Sequence, residues 1–186
     1  MTSTATVVST ARMLNPESPL GTATGRHAAP RLTTMSNVRL GLLHNGKPGG
    51  EHILAGIGAA VVDRHRGIAT DWRAKSHPSR GADFLDDLVG VWDAAVIAVG
   101  DCGACSSFAV RDGVELEKRG IPAVVFVSRP FESMSKLWAQ RLGAPELAII
   151  TVPHPLAQLP PETLREEYGA AALDRIDSML TGGVTR

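Results

Sequence analysis

The segment Ala94-Ala95-Val96-Ile97-Ala98-Val99 is apolar at six consecutive positions and stops at Gly100. A run this short is strand length. Its lack of polar alternation fits a strand covered on both faces, as in the middle of a parallel sheet sandwiched between helices. Residues 38–43, 123–127 and 147–152 read as strands of the same sheet, and residues 68–75 as a weaker, alternating one. Helical spacing fills the gaps. Ile53, Leu54, Ile57, Ala60 and Val61 recur on one face, and residues 106–119 and 134–141 continue the pattern. Phe84, Leu85, Leu88, Val89 and Val91 suggest a further helix, and residues 161–180 a long final one, with Pro161 and Glu162 suited to its start. Strand and helix thus alternate five times. Right-handed crossovers then give an α/β fold: a five-stranded parallel sheet in a flavodoxin-like three-layer sandwich, with strand order 2-1-3-4-5.

The chain has 186 residues, enough for one domain with a real core. Residues 1–36 hold Pro16, Pro19 and Pro30 and show no sustained period. They are expected to form a flexible N-terminal arm, lying along the body or along a partner subunit, with a single domain over 37–186. The arm is rich in Ser, Thr, Ala and Pro, like a transit peptide, but has sparse arginines and no clear amphipathic stripe. It also lacks the apolar block of a secretory signal, and no stretch approaches the roughly 20 apolar residues of a membrane span. The expectation is a cytoplasmic protein with no membrane partner. Nineteen basic residues balance nineteen acidic ones and aromatics are only 4%, which argues against nucleic acid as a partner. The expected partner is a small-molecule substrate, with a homo-oligomer or a partner subunit left open.

In a sheet of this order, ligands bind beyond the carboxyl ends of the strands, where the strand order reverses. The loops after the first and third strands flank that crevice. They are also the two most unusual stretches of the chain: His44-Asn45-Gly46-Lys47-Pro48-Gly49-Gly50 and Gly100-Asp101-Cys102-Gly103-Ala104-Cys105. Cys102 and Cys105, the only cysteines, form a C-x-x-C at the mouth of a helix. The free N–H groups and the dipole there favour a thiolate, and a second thiol three residues on can resolve a mixed disulfide or a sulfenic acid. The plain alternative is a pair of small, inert core residues. Zinc would need about four ligands, usually from two such clusters, and only one cluster exists, so no metal is expected. No G-x-G-x-x-G or Walker pattern occurs, so no nucleotide cofactor is expected either.

Asn45, Lys47, Asp101 and Asp112 are the substrate-binding candidates. Lys47 would hold an anionic group or a thiolate; otherwise it is a solvated loop lysine. Asn45 would donate to a carboxylate or oxyanion, or merely shape the turn. His154, after the fifth strand, is a candidate general acid or base, or a loop residue held between two prolines. Asp112 shares a helix face with Cys105, where it would tune the thiols or bind substrate; the alternative is a solvated charge. Glu117 and Gly120-Ile121-Pro122 read as a helix stop and the entry to the fourth strand.

The string Gly100-Asp101-Cys102-Gly103-Ala104-Cys105 resembles the signature of the UGSC family, named for selenocysteine-Gly-Ser-Cys and related to the selenoprotein B subunit of glycine reductase. Leu42-Leu43-His44-Asn45-Gly46-Lys47-Pro48 is similar to that family's opening strand and Asn-x-Lys-Pro loop. Asp112, Glu117 with Gly120-Ile121-Pro122, Phe131, Gly143 and Pro153-His154-Pro155 follow in the family's order, so the likeness covers about Val38 to Leu180. Two positions depart from it: Cys102 stands where relatives carry selenocysteine, and Ala104 replaces the serine. The resemblance implies a thiol-dependent enzyme in which Cys102 attacks a substrate carbon or heteroatom and Cys105 releases the adduct as a disulfide. Both an oxidoreductase and a lyase acting by addition–elimination fit it. The alternatives are a cofactor-independent racemase or lyase that uses the thiols as opposed acid and base, and a non-catalytic redox-sensing subunit.

Overall fold

The computed structural model describes residues 26–183. Five strands form one sheet: β1 (Arg39–His44), β2 (Ala69–Ala74), β3 (Ala94–Gly100), β4 (Ala123–Ser128) and β5 (Ala148–Val152). Every neighbouring pair is parallel and the order is β2-β1-β3-β4-β5, the flavodoxin-like order that the sequence predicts. Helices α1 (Gly50–Arg64), α2 (Gly103–Lys118) and α3 (Glu132–Arg141) follow β1, β3 and β4.

All seven residues of β3 are buried. The alternation missing from its sequence is present in its packing. Val96 and Ala98 face one layer with Leu42, Ile53, Ile57, Phe126 and Ile176, while Ala95 and Ile97 face the other with Trp92, Val110, Val114 and Val125. Edge strand β2 has no such cover and is exposed or half-exposed along its whole length.

Two expected helices differ from the prediction. The apolar residues from Phe84 to Val91 form only a short 3-10 turn, Leu85–Leu88. Leu85, Leu88 and Trp92 reach the core, whereas Val89 and Val91 are exposed, so the apolar residues do not share one helical face. Gly90, at φ +75, turns the chain away at that point. The long final helix over 161–180 is present as one continuous helical run from Pro161 to Thr181, but it is irregular. The amide of Ala170 reaches back five residues to the carbonyl of Arg165, giving a widened turn before a regular helix at Leu173–Thr181. The cause is contact with α1. A Cβ at Gly56 would sit 1.9 Å from the Arg165 carbonyl oxygen, and one at Gly169 would sit 2.6 Å from that of Ile53. The two backbones approach at paired glycines, and a straight helix does not follow that contact.

The expected arm falls outside the described residues for positions 1–25. Residues 26–36 lie along the body. The Leu32 amide donates to the Leu180 carbonyl at 2.9 Å, and the Ala29 amide to Glu117 Oε2 at 2.6 Å. Glu117, read as a helix stop, is a buried carboxylate that also takes Arg31 at 2.8 Å and the Ala123 amide at 2.9 Å. It therefore ties this segment to the start of β4.

Gly56→Val is expected to lower the stability of the protein by about 2 kcal/mol or more, because the added atoms meet backbone that cannot yield without moving a helix. Urea denaturation of the variant beside the parent chain measures it.

Candidate functional site

The carboxyl ends of all five strands place a polar residue at one edge of the sheet. Asn45 follows β1, Lys75 follows β2, Asp101 and Cys102 follow β3, Ser128 closes β4, and His154 comes shortly after β5. The loops after β1 and β3 therefore carry side chains whose positions are fixed largely by strand register.

Cys102 is the N-cap of α2, with an extended backbone, and its Sγ accepts the Cys105 amide at 3.2 Å. One free amide of the helix's first turn thus points at this sulfur. Cys105 lies one turn further in and is fully buried, whereas Cys102 is half-exposed. The Asp101 amide lies 3.2 Å from the Cys105 sulfur. The Cα atoms are 5.3 Å apart, within the span of a disulfide, and the two sulfurs are joined. This close turn depends on Gly100. A Cβ there would lie 2.6 Å from Cα of Ser106 in the first turns of α2.

Asp101 connects the cysteine loop to the histidine. Its Oδ1 is 2.8 Å from Nδ1 of His154, while its Oδ2 takes the Leu156 amide at 3.4 Å. Ser128 Oγ lies 3.3 Å from the same ring nitrogen, and Phe131 meets the imidazole edge-on with centroids 5.7 Å apart. The carboxylate is buried and the imidazole about one-third exposed. A carboxylate on Nδ1 fixes the ring and its tautomer, leaving Nε2 to exchange protons.

Beneath the loop lies a polar group that the sequence reading missed in part. Lys75, buried at the end of β2, donates to Asp112 Oδ2 at 2.7 Å and to Asn45 Oδ1 at 2.6 Å. The Asn45 amide group in turn donates to the carbonyls of Val99 and Cys105, both at 3.1 Å. Asp112 Oδ1 takes the Ala82 amide at 3.0 Å. Burial pushes the Lys75 ammonium down from the usual lysine range, against the pull of Asp112, and burial pushes the Asp112 carboxyl up, against the pull of Lys75. Neither Asn45 nor Asp112 faces solvent. Their polar atoms have partners within the chain and support the loop from behind. The only signal for Lys75 in the sequence is a lysine at the end of a weak, alternating strand candidate, which reads as surface.

Lys47 lies in the β1 loop at the same edge and is half-buried. Its carbonyl oxygen takes the Gly50 amide at 3.1 Å and lies 3.1 Å from His44 Nε2. No hydrogen bond among the described residues ties its ammonium to the cysteine loop. Among the described residues, no group of three His, Cys, Asp or Glu side chains has the arrangement of a metal site.

The family model described as the UGSC family matches residues 12–182, so the likeness extends upstream of Val38. Among solved structures the chain is similar to the lactose-specific IIB component domain of the phosphoenolpyruvate:carbohydrate phosphotransferase system from Streptococcus pneumoniae. Identity there is 14% over 76% of this chain and 96% of that one, with a TM-score of 0.31. No curated protein matches.

Lys75→Met leaves the Asp112 carboxylate buried without its cation, and is expected to cost about 3–5 kcal/mol of stability. Adding Asp112→Asn, which keeps an acceptor for the Ala82 amide but removes the charge, should recover part of that loss. Denaturant midpoints of the single and double variants decide it; a lossless Lys75→Met would contradict the support assigned to this pair.

Proposed function

The chain belongs to the UGSC family, and on that premise we propose that it is a thiol-dependent enzyme acting on a small polar molecule, with Cys102 as nucleophile and Cys105 as resolving thiol. The single observation that carries this reading is the asymmetry of the pair. Cys102 is half-exposed at the N-cap of α2, while Cys105 is buried behind it within bonding reach. A substrate meets Cys102 first, and Cys105 meets only what Cys102 has bound.

In the reductive form of the reaction, the Cys102 thiolate bonds to an electrophilic carbon or heteroatom of the substrate. The group it displaces leaves with the electron pair of the broken bond and takes a proton from His154. The Cys105 thiolate then attacks Cys102 Sγ, and the substrate fragment departs with the electrons of the bond to sulfur and a second proton. The thiol pair has lost two electrons and two protons and stands as the disulfide. An external dithiol reductant returns it to the reduced state by exchange. Asp101 holds the His154 ring and is a positioning residue. Lys47, at the same edge, is assigned to an anionic group of the substrate, where a flexible ammonium serves as a point charge. An addition–elimination reaction uses the same nucleophile and needs no resolving thiol. The racemase alternative requires thiols on opposite sides of a substrate, and the position of both on one loop disfavours it. A redox-sensing subunit would use the same pair without turnover.

Cys102→Ser should abolish turnover, since a serine alkoxide is hard to form at neutral pH without a strong base. Cys105→Ser should complete the first covalent step and stall, leaving an adduct on Cys102 that intact-mass spectrometry detects. Substantial turnover by Cys105→Ser would identify addition–elimination instead, and full activity in Cys102→Ser would end the thiol reading. His154→Ala should slow the reaction about 10²-fold or more and flatten its pH profile if the imidazole moves the proton.

A further inference from the structure

Strand β2 is the outermost strand of the sheet and pairs only with β1 among the described residues. Its register runs unbroken from Ala69 to Ala74, without a bulge. Native sheets commonly protect such an edge with proline, lysine, a bulge or a short strand. The sequence Ala69-Thr70-Asp71-Trp72-Arg73-Ala74 has no proline and no lysine; its two charges, Asp71 and Arg73, are of opposite sign, and Trp72 is 42% exposed at its centre.

The phase of the free edge follows from the bonds at its two ends. The Ala69 amide donates to the Val38 carbonyl at 2.8 Å, and the Lys75 amide to the His44 carbonyl at 3.0 Å. In a parallel ladder alternate residues turn to the same neighbour. Ala69, Asp71, Arg73 and Lys75 therefore face β1, while Thr70, Trp72 and Ala74 present their N–H and C=O groups outward. An added antiparallel strand must bond to those three residues.

We propose that β2 is a homodimer interface, pairing antiparallel with β2 of a second copy about a two-fold axis through Trp72, so that two sheets join into one. This register bonds Trp72 to its own counterpart, and Thr70 to Ala74 of the other copy and the reverse. It also sets Asp71 directly opposite Arg73 of the other copy, twice, in the non-hydrogen-bonded positions where side chains come closest. Within one chain Asp71 Oδ2 takes the Trp92 indole N–H at 2.8 Å and lies 3.4 Å from Arg73 Nε, on the face opposite Trp72, so the dimer gathers two acids and two bases beside the two indoles. The neighbouring registers that keep the same phase are penalised. An axis through Asp71 opposes Asp71 to itself, and one through Arg73 opposes Arg73 to itself; like charges so placed destabilise a sheet. Axes nearer either end of the strand leave much of the edge unpaired. The edge is complementary to itself in one register, which is what a two-fold interface requires.

The test uses the full-length chain and sedimentation velocity. The parent chain should sediment as a dimer. Arg73→Asp gives a strand edge with two acids, and Asp71→Arg one with two bases; each should sediment as a monomer. Mixing the two variants in equal amounts should restore a species of twice the monomer mass, because each acid then faces a base. Thr70→Pro guards against a misfolded charge variant. It removes an outward N–H without touching the bonds to β1, and should give a monomer with unchanged circular dichroism. A parent chain that is monomeric throughout the micromolar range would overturn the proposal, as it would if residues 1–25 or another chain occupied the edge. A dimer that survives all three substitutions, or variants that stay monomeric when mixed, would overturn it equally.

Discussion

The cysteine loop depends on the carboxamide of Asn45. Its nitrogen holds the carbonyls of Val99, near the end of β3, and Cys105, in the first turn of α2, and its oxygen takes the ammonium of Lys75. One side chain thus fixes the angle between the strand and the helix whose junction carries both sulfurs. The constraint is electrostatic. Lys75 and Asp112 are removed from water, so each must find its partners inside, and the two carbonyls must be satisfied by something that fits between them. Loss of any member leaves a buried polar group without a partner and releases the loop. That rigidity suits the covalent chemistry proposed for Cys102, which needs its sulfur held in place.

Much of the architecture is legible in the sequence because the strands are short, apolar and separated by helical spacing. The unbroken run before Gly100 identifies a strand buried on both faces, and the alternation of elements leaves few topologies. The two departures from a regular helix share a cause. Phe84 to Val91 and residues 161–180 both carry apolar residues at helical intervals, but spacing does not report what a helix must pack against. In the first case Gly90 and the entry into β3 redirect the chain. In the second, α1 approaches so closely at Gly56 and Gly169 that the backbone widens locally. Contacts between backbones distant in sequence leave no periodic trace beyond the glycines themselves.

The site divides in the same way. Cys102, Cys105 and His154 are found by residue type and by their place at strand ends, and Asp101 joins them by contact with the imidazole and the Cys105 sulfur. For Asn45 and Asp112 the sequence leaves substrate contact open beside turn-shaping and tuning of the thiols, and does not show that both are buried. A polar residue in a loop or on a helix reads as solvated until a buried partner is known, and Lys75 gives no sign of being that partner. Glu117 is parallel: it reads as a helix stop, and it is a buried acceptor for three donors.

In the proposed reaction the half-exposed sulfur at the helix cap attacks and the buried one resolves. The most direct measurement reduces the protein, treats it with limiting iodoacetamide, and locates the label by peptide mass spectrometry. Early modification is expected to be confined to Cys102, and to be lost when the protein is first oxidised to the Cys102–Cys105 disulfide. Label arriving first on Cys105, or equally on both thiols, would contradict it.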